Sequence, residues 1–431
     1  MVSENNSSIV FEGLLFPKIF RTFRMAIQPT KLIIIFSALI IICLAGWVMD
    51  LSETVVVIRN TEGDITETEL QTYMNNPSQM KAYVESYRGK SRGAGVFSTL
   101  WHFTAATFQA SVNSIFKLDI PGVAKNVAYY FKAAGWALRH HFIYCIIFFL
   151  IYLSVISIAG GAICRIAALQ FARGEKPGLT EALRFSTQRF TSFFLAPLTP
   201  IGIIIVPVLF IFILGLIGNI PWAGELIIGI SMPLALIAGS LITVVLIGMF
   251  AGFNLMFPAI AYDGSDCFDS ISRSFSYIYA KPWRMGFYTT IAAVYGAISY
   301  TFVRFFAFML LFVTHLFLEL GVWVENSENV SKLIAIWPKL KFTKLISYKD
   351  VVTTNWSESV GAFLIYLFLL AVLGLVVSFI ISFYFSANTI IYSLMRNKVD
   401  NTALEDMYTY FDETEIEPDT IESKTEQNPP D

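Results

Sequence analysis

CRIAALQFARGEKPGLTEALRFSTQRF, residues 164–190, is the stretch that decides the fold. A long apolar helix arrives at Cys164, continues to about Arg173 and stops at Arg-Gly-Glu-Lys-Pro-Gly. Gly174 and Gly178 supply a flexible turn there, and Pro177 cannot extend the hydrogen-bond ladder. Thr180 has the chemistry of an N-cap for a short amphipathic helix. That helix places Leu179, Leu183, Ser186 and Phe190 on one face and Arg184, Gln188 and Arg189 elsewhere. The pattern is a chain leaving a membrane, turning at a basic loop and running along the surface. It carries topology and no catalytic or ligand signature.

Composition agrees with that reading. The 431 residues are 55% hydrophobic and only 14% charged, with a mean hydropathy of +0.62. These values exclude an ordinary soluble globular protein and point to an all-α polytopic membrane protein. The formal net charge of -2 hides a split. From Asp400 onward eleven acidic residues face Lys424 alone, about -10, which leaves about +8 on the rest of the chain. A basic body suits anionic lipid headgroups. Cys43, Cys145, Cys164 and Cys267 lie in or beside apolar segments without CxxC or disulfide-framework spacing, which predicts buried thiols.

About six transmembrane helices are expected: 32–49, 141–173, 193–218, 225–258, 287–318 and 363–394. The first follows Lys18, Arg21, Arg24 and Lys31 and reads as a retained anchor, not a cleaved signal. Before it, residues 1–31 form an amphipathic segment in which Phe11, Leu14, Leu15, Ile19, Phe23 and Ile27 recur at helical intervals between basic residues. That spacing suits a helix on the cytoplasmic surface, set off from the span by Pro29. Residues 174–192 and 263–283 are the two other surface helices, the second with Asp266 as N-cap and Asp269 at N3. Pro197, Pro200 and Pro207 in the third span and Pro233 in the fourth predict kinked or partly unwound helices.

Two polar excursions interrupt the spans. Within 50–140, Val55 to Ile58 suits a short strand, and Thr66-Glu67-Thr68-Glu69 has capping-box spacing for a helix ending near Pro77. A second helix, Gln79 to Tyr87, comes after it. VFSTLWHFTAATFQASVNSIF is apolar on one side and polar but uncharged on the other, which suits packing on the bundle better than lying in the interface. Val123 to Leu138 makes a third amphipathic helix with Val127, Phe131, Ala134 and Leu138 on its face. In the second excursion, 319–359, five lysines alternate with Trp337, Leu340, Phe342 and Leu345. This mixture suits a lipid-surface or partner-docking segment, and no nucleic acid is expected. Residues 395–431 form an acidic cytoplasmic tail, with a short helix over Asp400 to Tyr410 and disorder after Thr414.

Loop charge orients the bundle. Arg165, Arg173, Lys176, Arg184, Arg189, Arg273, Lys281, Arg284 and Arg396 fall on one side, and the short Asn219-Ile220-Pro221-Trp222 turn opposite carries no Lys or Arg. Both termini are therefore expected in the cytoplasm and the two excursions, 50–140 and 319–359, outside. A shift of 88 positions lays Glu181-Ala182-Leu183 on Asp269-Ser270-Ile271 and Ser186 on Ser274. The expected unit is a surface helix, a span out, a variable connection and a span back, repeated in parallel over 9–173, 179–262 and 266–396.

AICRIAALQFARGEKPGLTEALRFSTQRF, VFSTLWHF and SANTIIYSLMRNKVDNTALEDMY together resemble a family of uncharacterised bacterial six-span inner-membrane proteins. The resemblance covers most of the chain. It implies a bacterial cytoplasmic membrane and this architecture, with no activity and no site residues.

Chemistry is sparse. No HExxH, GxSxG, GxGxxG or Walker A spacing occurs, so no catalytic residue, metal or cofactor is expected. His140-His141, at the outer boundary, suits packing better than a metal or proton role. Gly248-Met-Phe-Ala-Gly252 is a GxxxG pattern for close helix approach. Arg304 is the one charge deep in an apolar segment, where an arginine costs about 2.5 to 3.5 kcal/mol on insertion scales. No intramembrane Asp or Glu is available to pair with it, so a structural role is expected, bonded to carbonyls of a broken helix or snorkelling; anion or lipid-headgroup binding is the alternative that makes Arg304 the candidate ligand-binding residue. The expected function is a non-enzymatic membrane scaffold or assembly protein that binds partners through 50–140 and the acidic tail. The alternative is a transporter or channel for a small anion or lipid-like substrate with Arg304 in the pathway.

Overall fold

The structure, a computed structural model, describes residues 15–52, 54–59, 65–87, 93–322, 331–339, 342 and 355–408. A 3-10 turn, Phe16–Arg21, leads into α1 (Thr22–Ala26) and α2 (Pro29–Asp50). Strands β1 (Val57–Arg59) and β2 (Ile65–Thr68) pair antiparallel, followed by α3 (Glu69–Asn75) and α4 (Met80–Tyr87). Next come α5 (Val96–Phe116), α6 (Ile120–His140), α7 (Phe142–Ala172), α8 (Leu179–Gln188), α9 (Phe190–Leu195) and α10 (Thr199–Ile217). The chain continues as α11 (Ala223–Asp263), α12 (Cys267–Ala280), α13 (Pro282–Gly321), α14 (Lys332–Ile336) and α15 (Trp356–Val399). Six of these, α2, α7, α10, α11, α13 and α15, are long and apolar enough to cross a membrane. Apart from the one strand pair among the described residues, the chain is an all-α multi-pass membrane protein.

Several local expectations move. The strand pair is Val57–Arg59 with Ile65–Thr68, not a lone strand over Val55 to Ile58. The capping box sits two residues further on, with Thr68 Oγ1 accepting from Gln71 N (3.2 Å) and Gln71 Oε1 from Thr68 N (3.1 Å). Thr66 and Glu67 lie in β2, Glu67 paired with Ile58 and Thr66 at the irregularity beside it, so the helix starts only after the strand. Gly178, not Thr180, stands at the N-cap of α8. The helix break near Pro197 falls at 196–198, whereas α10 runs through Pro207 and α11 through Pro233 and Pro258. α11 stops at Gly264, whose φ of +64° is the left-handed turn that a residue without Cβ adopts freely.

Two compact units make up the chain: Met1–Ile163, Gly178–Phe190 and Trp283–Ala387, and Cys164–Pro177, Thr191–Pro282 and Asn388–Asp431. In the first, the N-terminal segment does not lie free on a surface. Phe16, Phe20 and Phe23 set their rings against Phe287, Tyr295 and Phe302 of α13, and Phe23 also meets Phe379 of α15. Residues 9–14 lie outside the described residues. Lys31, a flanking charge by its sequence position, is wholly buried and donates to Ser386 Oγ at 3.2 Å.

The same unit holds the 50–140 region. Val55, Val57, Leu70, Met80, Val96, Ala133, Trp136 and Ala137 form a small core. α5 then turns back along the span it follows. Phe97 lies against Gly46 of α2 and meets Phe148 of α7 with ring centroids 5.5 Å apart. Further along α5, Phe108 meets Tyr300, near the middle of α13, at 5.2 Å. The face of α6 that carries Val127, Phe131 and Leu138 points outward; the buried side is Asn126, Ala133, Trp136 and Ala137. The 319–359 excursion likewise packs inward where it is described, with Leu333 and Trp337 against Leu311 and Leu369. Lys341, Lys344 and Lys349 lie outside the described residues.

In the second unit α10, α11 and α12 pack together. The GxxxG pattern is used here. A Cβ added to Gly248 would lie 2.7 Å from the Phe275 ring, and one on Gly252 would lie 2.8 Å from Ile278 Cδ1. Residues 400–408 form no helix and run as an irregular strap with a turn at Leu404–Glu405, and the stretch after Thr414 lies outside the described residues. Gly248→Leu is therefore expected to destabilise the protein by about 1–3 kcal/mol through overpacking. Gly229→Leu, on the same helix with nothing within 4 Å, should shift the melting temperature in detergent little if at all.

Candidate functional site

Arg304 projects from α13 into a set of polar groups supplied by three segments. Its Nη1 donates to Gln109 Oε1 of α5 and to Tyr300 Oη, 3.0 Å away, one turn earlier on its own helix. Tyr300 Oη donates to the same Gln109 oxygen at 3.2 Å. Nη2 donates to the carbonyl of Phe342 at 3.1 Å, and the guanidinium lies 5.3 Å from the Phe342 ring. A planar cation is thus held by an amide oxygen, a hydroxyl, a carbonyl and two aromatic faces. These partners are all neutral, and among the described residues the group holds no nucleophile with an adjacent base.

No carboxylate stands among these partners of Arg304, and Gln109, which the sequence did not mark as a site, takes that place. Its signal lay in VFSTLWHFTAATFQASVNSIF, which has no Asp, Glu, Lys or Arg over 21 residues yet carries Gln109 at its centre. Such a sequence is compatible with packing among spans.

A second cluster, in the other unit, was not foreseen as a site. Asp263, the last residue of α11, forms an ion pair with Arg396, whose Nε lies 3.1 Å from Oδ1, and accepts on Oδ2 from Arg273 Nη1 at 3.2 Å and from Tyr392 Oη. Arg273 Nε also donates to Asp269 Oδ2 at 2.9 Å. Burial alone would push the Arg273 guanidinium down, but the charges of Asp263 and Asp269 outweigh it and hold its pKa above the ordinary arginine value. The strap 400–408 closes over this cluster. Tyr262 Oη donates to Leu404 O, Tyr277 Oη to Asp400 Oδ2, and Arg165 Nη1 to both Ala261 O and Tyr408 O at 3.0 Å. Burial raises the Tyr277 pKa and the bond to the Asp400 carboxylate raises it further, so Tyr277 remains a neutral donor. Arg165 and Arg396 were legible only as topology charges; their burial becomes visible with the strap in place.

The histidine pair packs. His141 lies 4.9 Å from the Trp136 ring, with Nε2 3.7 Å from Glu69 Oε1, and Trp136 Nε1 donates to that oxygen at 3.3 Å. Among the described residues no three His, Cys, Asp or Glu side chains gather into a group that could hold a metal. No protein-family model, curated protein or solved structure matches the chain.

Asp263→Asn leaves Arg396 buried beside a neutral group. It is expected to cost about 3–5 kcal/mol in denaturant unfolding from detergent micelles, as loss of one partner of a buried pair does. Asp269→Asn, whose side chain is half exposed, should cost no more than about 1 kcal/mol.

Proposed function

We propose that this chain is a non-enzymatic scaffold or interaction protein of a bacterial cytoplasmic membrane, with both termini in the cytoplasm. It belongs, on this reading, with the six-span family it resembles. The observation that carries the proposal is how the polar groups are used. Arg304 is held by Gln109, Tyr300 and Phe342, Lys31 by Ser386, and Asp263 by Arg273, Arg396 and Tyr392. Each of these links one segment of the chain to another, the use of charge expected of a rigid anchor. The strap bound by Arg165 and Arg396 leads directly into the acidic residues after Tyr408. A partner with a basic surface would meet that tail at a fixed starting point on the bundle.

Orientation rests on the basic short loops around Gly174–Gly178 and Arg273–Arg284. A cysteine introduced at Glu175 is expected to react with an impermeant maleimide only from the cytoplasmic side. Labelling from outside intact cells reverses the topology.

The second reading, transport of a small anion or lipid-like substrate, draws on one feature: α5 sets an uncharged polar side chain against Arg304 beside the middle of α13. The two readings separate experimentally. With a tagged chain, removal of residues 409–431 or of 54–92 is expected to release copurifying proteins, while Arg304→Gln retains them. Proteoliposomes containing the wild-type chain are expected to hold a chloride gradient as well as empty vesicles do. A leak abolished by Arg304→Gln transfers the assignment to transport.

A further inference from the structure

Helix α6 buries against the protein the side with Asn126, Ala133, Trp136 and Ala137. Its outward half divides lengthwise. One stripe is apolar, with Val127 46% and Leu138 49% exposed, and it continues to the first residue of the helix, Ile120, 77% exposed, and to Leu118, 81% exposed, in the turn before it. Beside it Lys125, Lys132 and Arg139, seven residues apart and therefore on one line, are all exposed. Lys125 and Lys132 flank the Tyr129 ring at 5.6 and 5.9 Å, which keeps both ammonium groups on that line. No Asp or Glu occurs between Ile120 and His140.

The depth of this face is set by α5, its antiparallel partner across the turn at Lys117–Asp119. α5 begins at the outer ends of two spans, where Asp50 accepts from Phe97 N and Ser98 N at 2.8 Å and from Tyr144 Oη at 2.9 Å. Gln109, about 18 Å further along at 1.5 Å per residue, bonds Tyr300 and Arg304 near the middle of α13. Phe302, between those two residues, meets Phe23, which precedes the start of α2. α5 thus travels most of the length of α2. α6 returns over the same interval, with Tyr130 Oη donating to Thr104 O at 3.4 Å.

We propose that the outward half of α6 is a lipid-binding face, its apolar stripe among acyl chains and its Lys125–Lys132–Arg139 stripe on the phosphate groups of anionic phospholipid. Water does not suit the apolar stripe at the level of the spans. A protein partner would have to supply a continuous acidic line, whereas an anionic leaflet supplies phosphates of the right charge next to acyl chains. Basic side chains reach such headgroups by snorkelling and by local thinning of the bilayer.

The test uses the full chain with p-benzoylphenylalanine at Val127 or Leu138, reconstituted in vesicles of equal phosphatidylglycerol and phosphatidylcholine. After irradiation, mass spectrometry is expected to find phospholipid adducts at both positions, with phosphatidylglycerol over phosphatidylcholine by about threefold or more. In the Lys125→Gln/Lys132→Gln/Arg139→Gln variant that ratio should fall to about 1 while total lipid adduct persists. Cross-links mainly to a second copy, or lipid adduct no higher than from the same probe at exposed Ser86, overturn the lipid-facing assignment. Equal adducts of the two lipids on the wild-type stripe overturn the headgroup assignment. That wild-type ratio decides the point even if the triple variant fails to fold.

Discussion

The carboxylate of Asp50 ends the first span and sets the course of the chain beyond it. It accepts four hydrogen bonds, from Phe97 N, Ser98 N, Ser98 Oγ and Tyr144 Oη. Two of these are orphan amides at the N-terminus of α5, where negative charge also meets the positive end of the helix dipole. Bonds to a charged acceptor contribute about 1.5–3 kcal/mol each when made, and an unmet carboxylate at this depth is worse than an unmet amide. A single residue thus joins α2, α5 and α7 at one level. Gly95 belongs to the same contact: a Cβ there would lie 1.9 Å from Asp50 Cγ. Once α5 starts at Asp50 and packs Phe97 against Gly46, its direction is set back along α2. Gln109 then arrives opposite Arg304 as a consequence.

That geometry explains what the sequence made legible and what it did not. The six spans are visible because hydropathy is a sum over a window, and Leu, Ile, Val and Phe dominate those windows. α5 escapes the same criterion because Ser, Thr, Gln, Asn and His dilute it. Yet Thr99 Oγ1 donates to Gly95 O and Ser111 Oγ to Thr107 O, each bonding one turn back along the chain. A hydroxyl satisfied in this way adds little penalty at depth. The absence of any charge from Val96 to Phe116 was the better signal, since only unpaired charge is prohibitive there. α6 misleads in the opposite sense. Its periodicity marks Val127, Phe131, Ala134 and Leu138 as one face. Periodicity reports that a face is apolar and is silent on whether protein or lipid covers it.

Buried charge was the least legible feature. Arg165, Lys31 and Arg396 read as flanking basics because each lies at the end of an apolar run, the usual position for topology signals. Their partners are 96, 355 and 133 positions away in sequence: Ala261, Ser386 and Asp263. No local pattern connects such pairs. Asp263 stands at the end of a 41-residue helix whose predicted stop was Pro258. With the helix cut at Pro258 it falls at the exposed start of the 263–283 segment, ahead of the Asp266 N-cap, where an aspartate needs no explanation. The helix continues because a proline removes only one ladder bond, and the buried run Leu255 to Tyr262 supplies the packing that offsets the loss.

The short helices α8 and α12 are held by different means. Ser186 of α8 and Ser274 of α12, aligned by the 88-position shift, are both fully buried, and each helix carries an acid in its first turn, Glu181 and Asp269. The buried serine permits close approach in both, but the hydrogen bonds differ. Ser186 Oγ donates across to Ser157 O and Ile158 O of α7, tying its helix to a neighbour. Ser274 Oγ turns back to Ser270 O on its own helix, and α12 is instead held by Phe275 and Ile278 against the two glycines of α11. Both solutions bring a short helix close to a long one, through a bonded hydroxyl in one case and through missing Cβ atoms in the other. The aligned serines therefore share burial but not bonding, and a position-by-position alignment of the two stretches does not carry one contact onto the other.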